Sequence, residues 1–169
     1  ILAEAAAVVG GWQIQNRATI GGNIANASPA GDSLPVLLAL NARVLVAGAG
    51  GTREIAYDDF HVAYRQTALA AGELIVRVRV PAQPHRTVQR FRKVGTREAQ
   101  AISKVVVALC AQVADGALTG LRLAAGSVAP VPVRLRQAEQ AALGRPLTEA
   151  TLDRVADAAR HRAGCRDDA

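Results

Sequence analysis

The chain has 169 residues, half of them hydrophobic, which is enough to bury one good core or two small ones and too apolar for a disordered polypeptide. Its formal charge of +6 is carried mostly by arginines spread from Arg17 to Arg166, with two Phe, two Tyr and one Trp to stack on bases, so a concentrated nucleic-acid face is excluded. Cys110 and Cys165 lie far apart and neither belongs to a C-x-x-C pair, which leaves iron–sulfur, zinc and disulfide frameworks unsupported and suits a reducing, cytoplasmic setting.

Ile1 to Val9 is Ala-rich and helix-forming, and Gly10-Gly11 supplies its stop. No basic region precedes it, so it does not read as a signal peptide. It begins as if already inside a helix, and the absence of methionine, position 1 included, makes the chain read as a processed product or a fragment. The stretch from Arg17 to Asp32 then packs small residues, adjacent glycines and polar side chains together without hydrophobic periodicity. Gly21-Gly22 would let the main chain approach a ligand and present N–H groups to a phosphate or pyrophosphate. Asp32 is expected to N-cap a short helix, Ser33 to Leu40, with one carboxylate oxygen free for ligand hydroxyls, and Asn41 to end that helix. Residue types alone leave a ligand loop and an ordinary capped turn equally open.

Arg43 to Ala47 predicts a buried strand, and the glycines from Gly48 to Gly51 join it by a hairpin to Glu54 to Tyr57. A dinucleotide-binding G-x-G-x-x-G is rejected there, because Arg53 falls on its last position and no helix pattern follows. Asp58 and Asp59 open a short connection. Glu73 to Val80 is the clearest strand, with Val76, Val78 and Val80 expected on the buried face and Arg77 and Arg79 on the other. Pro81 to His85 is a turn-rich break, taken as the boundary between a domain of residues 1–84 and one of residues 85–169. His61, His85 and His161 have no acid or cysteine at ligand-like spacing, so no metal site is expected.

Beyond the break, Val88 to Val94, Ser103 to Val113 and Leu118 to Ala125 predict an antiparallel sheet, the last two joined by a hairpin at Asp115-Gly116. Val105 to Ala114 has about half the roughly 20 residues of a membrane helix. A proline-stiffened connector, Pro130 to Arg134, leads to a helix around Leu135 to Leu143. A second helix follows from Thr148, its N-cap, to about Ala163. The tail from Gly164 to Ala169 shows no anchor. The fold class is α+β.

The run Ile14-Gln15-Asn16-Arg17-Ala18-Thr19-Ile20-Gly21-Gly22-Asn23-Ile24-Ala25-Asn26-Ala27-Ser28-Pro29-Ala30-Gly31-Asp32 resembles the flavin-binding signature of the FAD-binding medium subunits of molybdenum hydroxylases, the xanthine dehydrogenase and carbon monoxide dehydrogenase family. Phe91 to Val105 resembles the opening of that family's carboxy-terminal domain, and Gly126-Ser127-Val128-Ala129-Pro130-Val131-Pro132-Val133-Arg134 its Gly-x-x-Ala-Pro-x-Pro-x-Arg run. The resemblance thus covers nearly the whole chain. It implies the second subdomain of a PCMH-type FAD-binding fold followed by an antiparallel sheet with helices.

It also implies that the residues here bind rather than react, with no catalytic side chain and no metal ligand. Thr19, Ile20, Gly21, Gly22 and Asn23 would line the FAD diphosphate and flavin, Asp32 would meet cofactor hydroxyls, and Ile75 and Lys93 would complete the groove. An exposed strand lysine is the alternative for Lys93. Val9 falls where some members place an aromatic contact. The molybdenum cofactor and the 2Fe-2S clusters would sit in partner large and small subunits, and electrons would pass from the clusters through FAD to NAD+ or another acceptor. The family's first subdomain, with an Ala-Gly-Gly-Thr-like loop, would lie upstream of Ile1. The isolated chain is therefore expected to bind FAD weakly or not at all, or to act as a flavin-free module that docks to partner subunits.

Overall fold

The computed structural model describes residues 1–97 and 100–163, the last three by backbone only; the tail with Cys165 lies outside the described residues. The chain opens with α1 (Leu2–Ala7), a single turn α2 (Trp12–Gln15), α3 (Ile20–Asn26) and α4 (Ser33–Ala39). A three-stranded antiparallel sheet follows, with β1 (Arg43–Gly48) between β2 (Gly51–Ala56) and β5 (Leu74–Arg79). A 3-10 turn (Tyr57–Asp59) and a small hairpin, β3 (His61–Ala63) with β4 (Gln66–Thr67), connect β2 to β5. The second half holds an antiparallel sheet in the order β6 (Val88–Gly95), β7 (Ser103–Ala114), β8 (Ala117–Gly126), β9 (Val133–Arg134), then α5 (Arg136–Ala142) and α6 (Glu149–Ala163).

α4 is the hub. Every residue from Ser33 to Ala39 is buried, because the helix is clasped between the two sheets and presents apolar side chains all round. Val44, Val46 and Ile55 meet it from the first sheet, and Ala108, Cys110 and Ala124 from the second. The small residues on that face of the second sheet let the helix approach closely. A Cβ added to Gly126 would stand 2.7 Å from Pro35 Cγ and 3.3 Å from the Pro29 carbonyl oxygen. The opposite face of the same sheet, with Val107, Leu109, Leu121, Leu123 and Ala125, is covered by α5 and α6 through Leu135, Ala138, Val155 and Ala159.

The carboxy-terminal end of α4 is satisfied from both halves. Asn41, at φ 53, and Ala42 return their N–H groups to Leu38 and Leu37, closing a Schellman motif. Arg122 then donates to the Ala39 carbonyl at 2.6 Å, Arg134 to the Leu38 carbonyl at 3.4 Å, and Gln83 Nε2 to the Leu40 carbonyl at 3.4 Å. Cations at a helix carboxy terminus also meet the favourable end of its dipole. Arg134 is itself held by a two-pronged bond to Glu139, 2.6 and 2.8 Å, with both side chains under a tenth exposed.

Three sequence expectations are corrected. The Gly21-Gly22 stretch is helical rather than a loop: Thr19 in extended conformation accepts the Gly22 N–H on its hydroxyl, and Ala27, at φ 49, ends the turn. Capping by Thr19 and full burial of Ile24 outweigh the roughly 1 kcal/mol that each helical glycine costs. Asp32 makes no side-chain cap on α4; its carboxylate is engaged elsewhere. In β5 a register shift opposite Leu45 and Val46 pairs Leu45 with Arg77 and Val46 with Ile75, which throws Val76 out of alternation. Ile75 and Val78 therefore pack on the core, while Val76 is 53% and Val80 38% exposed. The other predicted elements form at or near their expected bounds, with Thr148 capping α6 through a 3.4 Å bond from the Thr151 N–H and Asp115-Gly116 turning the β7–β8 hairpin at φ 50 and 74.

Candidate functional site

α1 and the α2–α3 segment face each other across an open, mostly apolar groove of about 670 Å³. Its walls include Leu2, Ala6, Val9, Thr19, Ile20 and Asn23. The sequence marks Val9, Thr19, Ile20 and Asn23 among them, and the fold brings these four to one surface. The two glycines lie on the first turn of α3. A Cβ at Gly21 would meet Ile75 Cγ2 at 3.8 Å, an ordinary contact, so Ile75 reaches this turn from β5, placed there by the bulge. A Cβ at Gly22 would press on Thr19 Oγ1 at 3.0 Å, against the cap itself. Because Gly22 is capped and Asn23 is the first residue to bond back to the Thr19 carbonyl, the N–H groups of Ile20 and Gly21 have no partner within the helix.

Behind this wall lies a buried polar cluster built from distant parts of the chain. Ser33, at the start of α4, donates from Oγ to Asn23 Oδ1 at 2.8 Å and so fixes the side chain that faces the groove. Asp32, 5% exposed, accepts from Lys93 Nζ at 2.7 Å on one oxygen and from Ser103 Oγ at 2.5 Å on the other. Neither oxygen is left free, contrary to the sequence expectation. Lys93 is not an exposed strand lysine: its side chain is 13% exposed and it donates also to the Val8 carbonyl at 3.0 Å, next to groove residue Val9. The Lys93–Asp32 ion pair thus ties β6 to the amino-terminal end of α4 and to the end of α1.

His61 supports α3 from below. It is 8% exposed, and since a carbonyl can only accept, its Nε2 donates to the Ile24 oxygen at 3.1 Å. Burial lowers its pKa below the usual value, and Nδ1 has no partner among the described residues. Burial also pushes the Tyr57 hydroxyl well above its ordinary range, in an aromatic group with Phe60 and His61. On the exposed side of the first sheet, Arg53 donates two bonds to Glu73 and, with the Ala70 N–H, pulls that carboxyl down to about 2. Sequence reading missed Ser33, Ser103 and His61, whose partners are remote in the chain; only their polarity inside apolar runs could have marked them.

Residues 1–83 match the FAD binding domain in molybdopterin dehydrogenase, and residues 90–169 the CO dehydrogenase flavoprotein C-terminal domain. The chain belongs to the xanthine and carbon monoxide dehydrogenase FAD-subunit family. This FAD-subunit family member is 34% identical over 157 residues to the xanthine dehydrogenase FAD-binding subunit of Escherichia coli O157:H7, covering 92% of the chain and 54% of that relative. It is 35% identical over 173 residues to the nicotinate dehydrogenase FAD-subunit of Eubacterium barkeri, covering 95% and 58%. Its fold superposes on carbon monoxide dehydrogenase from Hydrogenophaga pseudoflava with a TM-score of 0.90 at 32% identity, covering 94% of this chain and 55% of that one. The chain therefore spans about half the length of the relatives it matches.

Among the described residues no helix is long and apolar enough to cross a membrane, and no group of three or more His, Cys, Asp or Glu could hold a metal ion.

Proposed function

We propose that this chain binds FAD in the groove between α1 and α3 and serves as the flavin-bearing, electron-passing part of a molybdenum hydroxylase. The observation that carries the reading is the convergence of Val9, Thr19, Ile20 and Asn23 on one apolar groove, with a fixed Lys93–Asp32 pair directly behind its wall. A flavin dinucleotide fits this donor set. Two first-turn N–H groups of α3 are without helical partners, and the groove walls are apolar enough for a ring system.

When bound, FAD supplies the redox chemistry, and the chain supplies position and electrostatics. Thr19 holds the first turn of α3 in shape, and the Ile20 and Gly21 amides would be the donors for the diphosphate. Asn23, fixed by Ser33, offers a polar side chain to the cofactor hydroxyls, and Ile75 packs under the glycine turn. Lys93, locked by Asp32 and the Val8 carbonyl, puts a positive charge near the groove, which favours an anionic reduced ligand. Asp32 acts through Lys93, and any contact it makes with a cofactor hydroxyl shares an oxygen that already has a donor. Electrons would arrive from iron–sulfur clusters of a small subunit, beyond which lies the molybdenum centre of a large subunit, and would leave to NAD+ or another acceptor.

The test is a titration of the purified chain with FAD, followed by flavin absorbance and fluorescence, alone and with the small and large subunits present. Gly22→Val is the control, since its side chain would displace the Thr19 cap. Saturable flavin binding that Gly22→Val abolishes is expected. No bound flavin either alone or in the assembly overturns the reading.

A further inference from the structure

We infer that Ser103 is a positioning residue: through the Asp32 carboxylate it fixes where the Lys93 ammonium sits behind the groove wall. The three groups form one buried line, Ser103 Oγ to Asp32 Oδ1 at 2.5 Å and Asp32 Oδ2 to Lys93 Nζ at 2.7 Å, with Ser103 and Asp32 each 5% exposed. A carboxylate held on one oxygen by a lysine is free to swing about its Cβ–Cγ bond. Held on both oxygens by donors from two neighbouring strands, it has one orientation, and the long Lys93 side chain inherits it.

The arrangement also explains why a serine hydroxyl opens β7, the most apolar strand of the molecule. A buried hydroxyl costs free energy unless it is bonded, and here its partner is the carboxylate that also holds Lys93. Lys93 has three N–H donors, two of them committed to Asp32 and the Val8 carbonyl. Its orientation decides where the third N–H points. Ser103 therefore helps decide where that donor and its charge are offered. The link between this line and a bound flavin rests on the FAD reading above; the line itself does not.

The chain's two lysines make the proposal directly measurable, because Lys104 is exposed and serves as an internal standard for the shielded Lys93. Competitive amine acylation, quantified by peptide mass spectrometry, is run on the full chain without flavin for the parent, Ser103→Ala and Ser103→Thr. Loss of one hydrogen bond to a charged group should raise the Lys93 to Lys104 labelling ratio roughly threefold or more in Ser103→Ala, and Ser103→Thr, which keeps the hydroxyl, should return it to the parent value. An unchanged ratio in Ser103→Ala, or equal increases in both variants, overturns the proposal. FAD added to the same proteins gives the second readout: weaker binding and a more negative flavin potential in Ser103→Ala, restored by threonine. If the labelling ratio responds but no variant, parent included, binds FAD either alone or with the small and large subunits present, the positioning line stands and the FAD reading falls.

Discussion

Arg134→Met should cost the protein about 3–5 kcal/mol, the penalty for leaving a buried carboxylate without its counter-ion. Arg134 and Glu139 are 8% and 9% exposed, and the guanidinium meets the carboxylate at 2.6 and 2.8 Å. Methionine keeps the aliphatic stem, so the loss is chiefly one of charge and hydrogen bonds. Glu139 would then retain the Leu123 N–H at 2.8 Å as its remaining donor, and Asn41 Oδ1, bonded to Arg134 at 2.8 Å, would lose its link to the second half. The double variant Arg134→Met with Glu139→Leu removes both charges and leaves the Leu123 N–H unpaired, a cost of about 1–3 kcal/mol. The double variant should therefore be more stable than the single one. Against a total stability of about 5–15 kcal/mol, the difference is readable in urea as a shift of midpoint at constant slope, followed by far-UV circular dichroism. A single variant within about 1 kcal/mol of the parent, or a double variant less stable than the single, would show that Glu139 does not depend on Arg134 as its buried counter-ion.

Three further outcomes follow from the same contacts. His61 is neutral in the fold, and its pKa is lowered by burial, so the unfolded chain takes up its proton first as pH falls below about 6.5. The stability it contributes is present above that pH and drains on acidification toward the lowered folded value. His61→Gln, whose Nε2 can still donate to the Ile24 carbonyl, should flatten the unfolding midpoint between about pH 7.5 and 5.5, and a slope equal to the parent's would contradict the assignment. Thr19→Ala should cost about 0.5–2 kcal/mol by uncapping α3 while Thr19→Ser stays near the parent, read by thermal unfolding. Gly126→Ala should cost about 1–3 kcal/mol because its methyl would enter the space of Pro35, and a neutral result would mean that α4 is not packed tightly on β8.

What was legible in the sequence is what local chemistry decides. Thr148 caps a helix because a threonine before an acidic first turn can do little else, and Asp115-Gly116 turns a hairpin because both positions tolerate positive φ. The glycine stretch reads as a loop and folds as a helix: glycine propensity argues for a loop, and the decision lies with the Thr19 hydroxyl, the full burial of Ile24 and the His61 bond to the Ile24 carbonyl. The face of β5 was misjudged for a different reason. Alternation predicts which residues share a side only while the register is unbroken, and the bulge belongs to the pairing with β1, not to β5 alone. It is the bulge that carries Ile75 to Gly21. Asp32 shows the same limit most sharply. A carboxylate before a helix reads as a cap, and nothing nearby announces that Lys93 and Ser103, both beyond the Pro81 break, will claim it instead.

That long-range claim makes the groove a product of both halves. The apolar walls come from α1 and α3, yet the charge behind them is supplied by β6 and its orientation by β7. Without the second sheet, Asp32 would be a carboxylate with no counter-ion at the head of an apolar helix, Arg122 and Arg134 would no longer cover the carbonyls at its tail, and α4 would lose the face on which Ala108 and Ala124 pack. Burial of α4 and construction of the groove are thus one event, and a change at either end of that helix should be felt at Val8 and Lys93 as well as in global stability.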